Sequence, residues 1–122
     1  MDLIDLVVEQ DLSGLRAAID DGCPVDAANR QGFTALHVAA QEHAIEVMDQ
    51  LLQAGADVDA RNFYGNTPLW VAVFNSRGRG EAIELLLRNG ADPDAINHAG
   101  RSPRQLGEAI GNRDVTRVFD AL

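Results

Sequence analysis

Apolar residues recur at steps of three and four in two stretches of the chain: Val47, Met48, Leu51 and Leu52, then Ile83, Leu86 and Leu87. That spacing puts them on one face of a helix. Each stretch runs into a glycine, Gly55 or Gly90, the residue that most readily leaves a helix at its C-terminal end. A second kind of segment precedes each of these. "FTALHVAA" from Phe33 and "NTPLWVAV" from Asn66 carry small residues (Ala39, Ala40, Ala72) where the other stretches carry leucines. The pattern predicts pairs of short helices, one slim and one amphipathic.

The pairs repeat. "GCPVDAANRQG" from Gly22, "GADVDARNFYG" from Gly55 and "GADPDAINHAG" from Gly90 align at steps of 33 and 35 residues. Each is followed by a helix start. Thr34, Thr67 and Ser102 have hydroxyls suited to capping. Pro68 and Pro103 then fill the first helical position, where a missing N–H costs nothing, and Ala35 takes that place in the second copy. Leu3, Leu6, Ala18 and Ile19 fit one earlier copy. A reading of loop, helix, turn, helix thus covers approximately 1–27, 28–60, 61–95 and 96–122 as one repeat domain, with the last helix running to Leu122. No pair buries its apolar face alone, so stability comes from stacked neighbours.

Period, cap, small-residue helix, leucine pair and glycine-led loop recur in register. In these the chain resembles the ankyrin repeat, whose T-P-L-H-x-A signature is echoed by "TALHVAA" at 34–40 and "TPLWVAV" at 67–73. The resemblance implies an all-α solenoid of stacked helix-turn-helix units with β-hairpin-like loops. It also implies a role for His37 as a fastener between neighbouring loops. The departures are local. The third copy holds two additional residues within "FNSRGRG" at 74–80, which lengthens its turn. Trp70 replaces the histidine. Arg104, Gln105 and Asp120 put polar groups on the fourth copy, as a terminal cap requires. The first and fourth copies are read as caps.

Candidate chemistry is sparse. There are three histidines and one cysteine, and no Cys/His pair has metal-ligand spacing. No nucleophile, base and orienting acid fall together, so no catalytic residue, metal or cofactor is expected and the chain is not read as an enzyme. "GRG" at 78–80 lacks the preceding strand and the following Lys-Ser/Thr of a phosphate loop. The acidic pairs at 57–59 and 92–94 are too few for a calcium loop and suit loop backbone capping instead.

Charge narrows the partner. Nineteen acids face ten arginines, with no lysine, for a net charge of −9. Residues 1–60 are net −10 and residues 61–122 net +1. Such a field repels phosphate backbones, which excludes nucleic acid, and favours a partner with a basic surface; acidity that serves only solubility is the other reading. Cys23 stands alone, no basic residue precedes Arg16, and Asp5 interrupts the apolar run at 3–8. No secretory leader or membrane span is therefore expected, and a cytoplasmic, monomeric protein is the expectation, with self-association through exposed aromatics left open.

The positions that the repeat leaves free hold Arg30, Gln31 and Phe33, then Arg61, Phe63, Tyr64 and Asn66, then His98 and Arg101. The free face of the first helix adds Gln41, Glu42, Phe74 and Asn75. The resemblance implies that these line a concave binding surface. Aromatic and arginine residues are the usual anchors of protein interfaces. The expected function is a protein–protein interaction module, acting as an inhibitor or an adaptor. One alternative is an antidote that masks a basic enzyme. The other is an enzyme or ligand-binding protein whose site the sequence hides.

Overall fold

A computed structural model describes residues 2–121. They form eight helices: α1 (Leu3–Val8), α2 (Leu12–Asp20), α3 (Ala35–Glu42), α4 (Ile45–Gln53), α5 (Pro68–Phe74), α6 (Glu81–Arg88), α7 (Pro103–Ile110) and α8 (Arg113–Asp120). No strand occurs among the described residues. α8 stops at Asp120, and Leu122, which the sequence assigns to the last helix, lies outside the described residues.

Odd-numbered helices touch one another in order, even-numbered helices do the same, and each odd helix packs on the even helix that follows it. The stack therefore has an inner layer (α1, α3, α5, α7), an outer layer (α2, α4, α6, α8) and loops at one edge. The core lies between the layers. Leu36 and Leu69 of the inner layer meet Met48, Leu51, Ile83 and Leu86 of the outer layer, all buried. Burying a side chain of this size is worth about 2 kcal/mol. Ala39, Ala40 and Ala72 are fully buried, so small side chains at these positions allow the inner helices their close packing.

The helix starts are local chemistry. Thr34, Thr67 and Ser102 accept hydrogen bonds from the backbone N–H groups of His37, Trp70 and Gln105. Asp2, Asp11 and Asn112 cap α1, α2 and α8 in the same way. Each such cap contributes about 1 kcal/mol. On the fourth copy, Gln105 closes the capping box on Ser102, while Arg104 pairs with Asp94 at 2.9 Å and holds that carboxyl below its ordinary range.

The turn between α5 and α6 spans residues 75–80, against two residues between α3 and α4. It folds onto the fourth copy: a methyl group at Gly78 would strike the Asn112 side chain, and one at Gly80 would strike Val118. The "GRG" stretch is thus a packed turn.

Candidate functional site

The loop edge is built by three asparagines at matched positions. Asn29 Oδ1 accepts the N–H groups of Gln31 and Phe33, Asn62 Oδ1 those of Tyr64 and Asn66, and Asn97 Oδ1 those of Ala99 and Arg101, all at 2.9–3.1 Å. Short amide side chains close tight turns in this way. Successive loops are then tied together. The Phe63 N–H donates to Gln31 O and the His98 N–H to Tyr64 O, each at 3.0 Å. Below the tips, Asp26 Oδ1 accepts the Asp57 N–H and Asp59 Oδ1 the Asp92 N–H. The acidic pairs are structural acceptors, and no group of three or more His, Cys, Asp or Glu suited to a metal ion occurs among the described residues.

His37 is committed to this framework. Its Nδ1 accepts the Thr34 N–H at 3.2 Å, and its Nε2–H donates to Asn66 O at 2.8 Å. Both ring nitrogens are engaged, which fixes the neutral tautomer. Burial pushes its pKa below the ordinary 6.5, although the carbonyls of Asn66 and Ala60 and the Asp57 charge oppose the shift. A buried, doubly bonded imidazole is a fastener and has no lone pair free for catalysis.

Phe33 stacks edge-on against His37, with ring centroids 5.6 Å apart, and forms one wall of a groove of about 390 Å³. Tyr64 and Asn66 of the next loop, Gln41 at the end of α3, Trp70, Val71 and Phe74 of α5, and Asn75 just after it complete the groove. Six of the expected site residues therefore meet in one place: Phe33, Gln41, Tyr64, Asn66, Phe74 and Asn75. Tyr64 and Phe74 are 61% and 68% exposed. Asn66 and Asn75 are half-buried and tied down by Asn97 and by the Val71 carbonyl, which makes them fixed polar rims.

The remaining expected residues fall outside the groove. Phe63 is exposed but lies over Gly32 of the preceding loop. Arg61 donates to Ile96 O at 2.7 Å, so its guanidinium braces the next loop. Arg30, Gln31, His98 and Arg101 are exposed on the loops, and Glu42 is exposed at the end of α3. Val71 and Trp70 also line the groove without being among the expected contacts, and of the two Trp70 carried a signal in the sequence. The available signal was its position one helical turn before Phe74, which puts both rings on the same face of α5.

Exposed large apolar residues are distributed unevenly. Val8, Phe63, Tyr64, Phe74, Ile96 and Ile110 all belong to loops or inner helices, and Leu12 is the exception on the outer layer. Of these, Tyr64 and Phe74 share the groove.

Residues 3–97 match the family described as ankyrin repeats in three copies; α7 and α8 form a fourth helix pair beyond the match. The chain is 39% identical over 61 residues to NF-kappa-B inhibitor alpha of Gallus gallus, a stretch that covers 50% of this chain and 19% of that protein. It is 42% identical over 67 residues to B-cell lymphoma 3 protein of Homo sapiens, covering 51% and 15%. It is 36% identical over 72 residues to serine/threonine-protein kinase 12 of Arabidopsis thaliana, covering 59% and 16%. The chain thus spans less than a fifth of the length of these curated relatives.

Proposed function

Because the chain belongs to the ankyrin-repeat family, a fold of protein-interaction modules, we propose that it binds a protein partner through the face formed by its loops and inner helices. The observation that carries this reading is the groove of Phe33, Tyr64, Trp70 and Phe74, with two of the four rings largely exposed on a hydrogen-bonded framework. Aromatic side chains held on rigid elements bind without a large ordering cost. Tyr64 and Phe74 are the anchors. Phe63, Arg30, Gln31, His98 and Arg101 supply contacts along the loop tips.

The acidic first half steers a basic region of the partner toward this face. The module then acts by occupying a surface, as an inhibitor or an adaptor; masking of a basic enzyme is the sharper form of the same idea. One matched relative carries the word inhibitor in its name. No helix among the described residues is long and apolar enough to cross a membrane. A cytoplasmic, monomeric module that uses neither nucleic acid nor a cofactor completes the proposal.

The test is capture of partners from the native cell with the wild-type chain and with Tyr64→Ala/Phe74→Ala. The double variant should lose more than about 2 kcal/mol of binding while remaining folded. A partner held equally well by both chains would overturn the assignment of the groove.

A further inference from the structure

Net charge changes along the stack in one direction. The segment 1–27 holds seven acids and one arginine (net −6), and 28–60 holds five and one (net −4). Segment 61–95 holds four of each (net 0), and 96–122 holds three acids and four arginines (net +1). The groove sits where this gradient is steepest, between α3 and α5.

Matched positions bring the gradient to the groove itself. Val8, Gln41 and Phe74 occupy the same place in the last turns of α1, α3 and α5, and Glu9, Glu42 and Asn75 follow them. Glu9 and Glu42 are exposed, and neither is in a salt bridge among the described residues. The row of Phe33 and Asn66, both on the groove wall, continues at its other end into Arg101, which is exposed and equally unpaired. By these matched positions the groove has carboxylates on its α1 side, at the C-terminal ends of the inner helices, and a guanidinium on its α7 side, at the loop edge.

Resting on the function proposed above, we infer that the groove takes a bipolar protein segment. A large apolar anchor sits on Tyr64, Trp70 and Phe74. A basic residue lies on the α1 side, opposite Glu9 and Glu42, and an acidic residue on the α7 side, opposite Arg101. Packed helices are about 8–10 Å apart, and an extended strand rises about 3.3 Å per residue. The charged residues therefore stand roughly three positions on either side of the anchor in an extended partner. Charge complementarity of this kind fixes direction and register more than total affinity.

A displayed library of random dodecapeptides, selected on the full chain, tests this. Trp70 is the single tryptophan and lies in the groove, so its fluorescence reports the affinity of each selected peptide. Enriched peptides should carry an apolar anchor with Lys or Arg on one side and Asp or Glu on the other. Glu9→Gln/Glu42→Gln should weaken them roughly three- to tenfold and erase the basic preference. Arg101→Glu should convert the acidic flank into a second basic one. If these variants leave the flanking preferences unchanged while Tyr64→Ala/Phe74→Ala abolishes selection, the bipolar segment is wrong and the groove stands. If peptides are retained by Tyr64→Ala/Phe74→Ala, or none is enriched, the groove itself fails and the inference with it.

Discussion

His37 Nε2 lies 2.8 Å from the backbone oxygen of Asn66, a hydrogen bond that joins two copies of the repeat across 29 residues of chain. The same imidazole receives the Thr34 N–H on its other nitrogen. One side chain therefore holds a helix start, its own loop and the next loop in a single register.

His37→Ala should destabilise the protein by about 2 kcal/mol, because it leaves the buried Thr34 N–H without its acceptor and removes the bond between copies, although Asn66 O keeps the Asn62 N–H. A urea unfolding curve measures this. A loss under about 0.5 kcal/mol, the level of an ordinary surface change, would show that the bond is incidental.

Burial holds His37 below the ordinary 6.5, and His43 is shifted the same way, first by burial and then by the Arg79 charge, with Glu81 opposing. The unfolded chain therefore takes up protons before the folded one. Stability is fully present above about pH 6.5 and falls as pH drops below it. The exposed Asp94 carboxyl is shifted below 3.8, so it adds nothing in this window. Urea midpoints at pH 7.5 and 5.5 should differ with the lower value at pH 5.5, and the slope should flatten in His37→Ala.

Gly32 and Gly55 both adopt positive φ, +80° and +92°. A methyl group at Gly55 meets nothing within 4 Å, whereas at Gly32 it lies 2.9 Å from the Phe63 ring and from the Phe63 backbone nitrogen. Gly55→Ala should cost about 1 kcal/mol from backbone conformation alone. Gly32→Ala should cost at least about 1 kcal/mol more, since the next loop must retreat. Thermal unfolding of the two variants compares them directly, and equal losses would contradict the loop-on-loop contact.

Asn62 is buried, whereas its equivalent Asn29 is exposed. Asn62→Ala should cost about 2 kcal/mol, because two loop N–H groups lose an acceptor that is itself buried and only partly replaced by water. Asn29→Ala should cost under about 1 kcal/mol, since water replaces the lost acceptor. The difference in urea midpoint between these variants is the measurement.

Tyr64→Ala/Phe74→Ala should leave stability within about 0.5 kcal/mol of wild type, as expected for exposed side chains. It should also shift the Trp70 emission, because the rings that share its groove are gone. An unfolded double variant would mean that the rings serve the stack.

The stack was legible in the sequence because its instructions are local. Thr34, Thr67 and Ser102 cap the helices they precede, and Leu51 and Leu86 fall on faces that a three-and-four spacing already defines. The groove was legible only in part. Phe33, Tyr64 and Phe74 stand out as aromatics on free positions, but which rings meet depends on how copies align in space. Phe63 looks equivalent to Tyr64 as its neighbour in sequence, yet the bond from its N–H to Gln31 O lays it over Gly32 and away from Trp70. Arg61 reads as a free cation until its bond to Ile96 O, 35 residues on, is seen. Contacts at that separation leave no periodic trace.

The two additional residues of the third copy lie in the turn at 75–80, at the ends of the helices remote from the asparagine-clamped loops. Copies are registered to one another through the loop edge, by bonds such as Phe63 N–H to Gln31 O and His98 N–H to Tyr64 O. Length added at the opposite edge therefore leaves those loop bonds in place, and the turn takes it up by packing on Asn112 and Val118. Arg77, exposed at the crest of this turn, is the natural attachment point for a dye, a tether or a fused domain. The cargo would ride on the back of the molecule while its recognising edge kept its spacing.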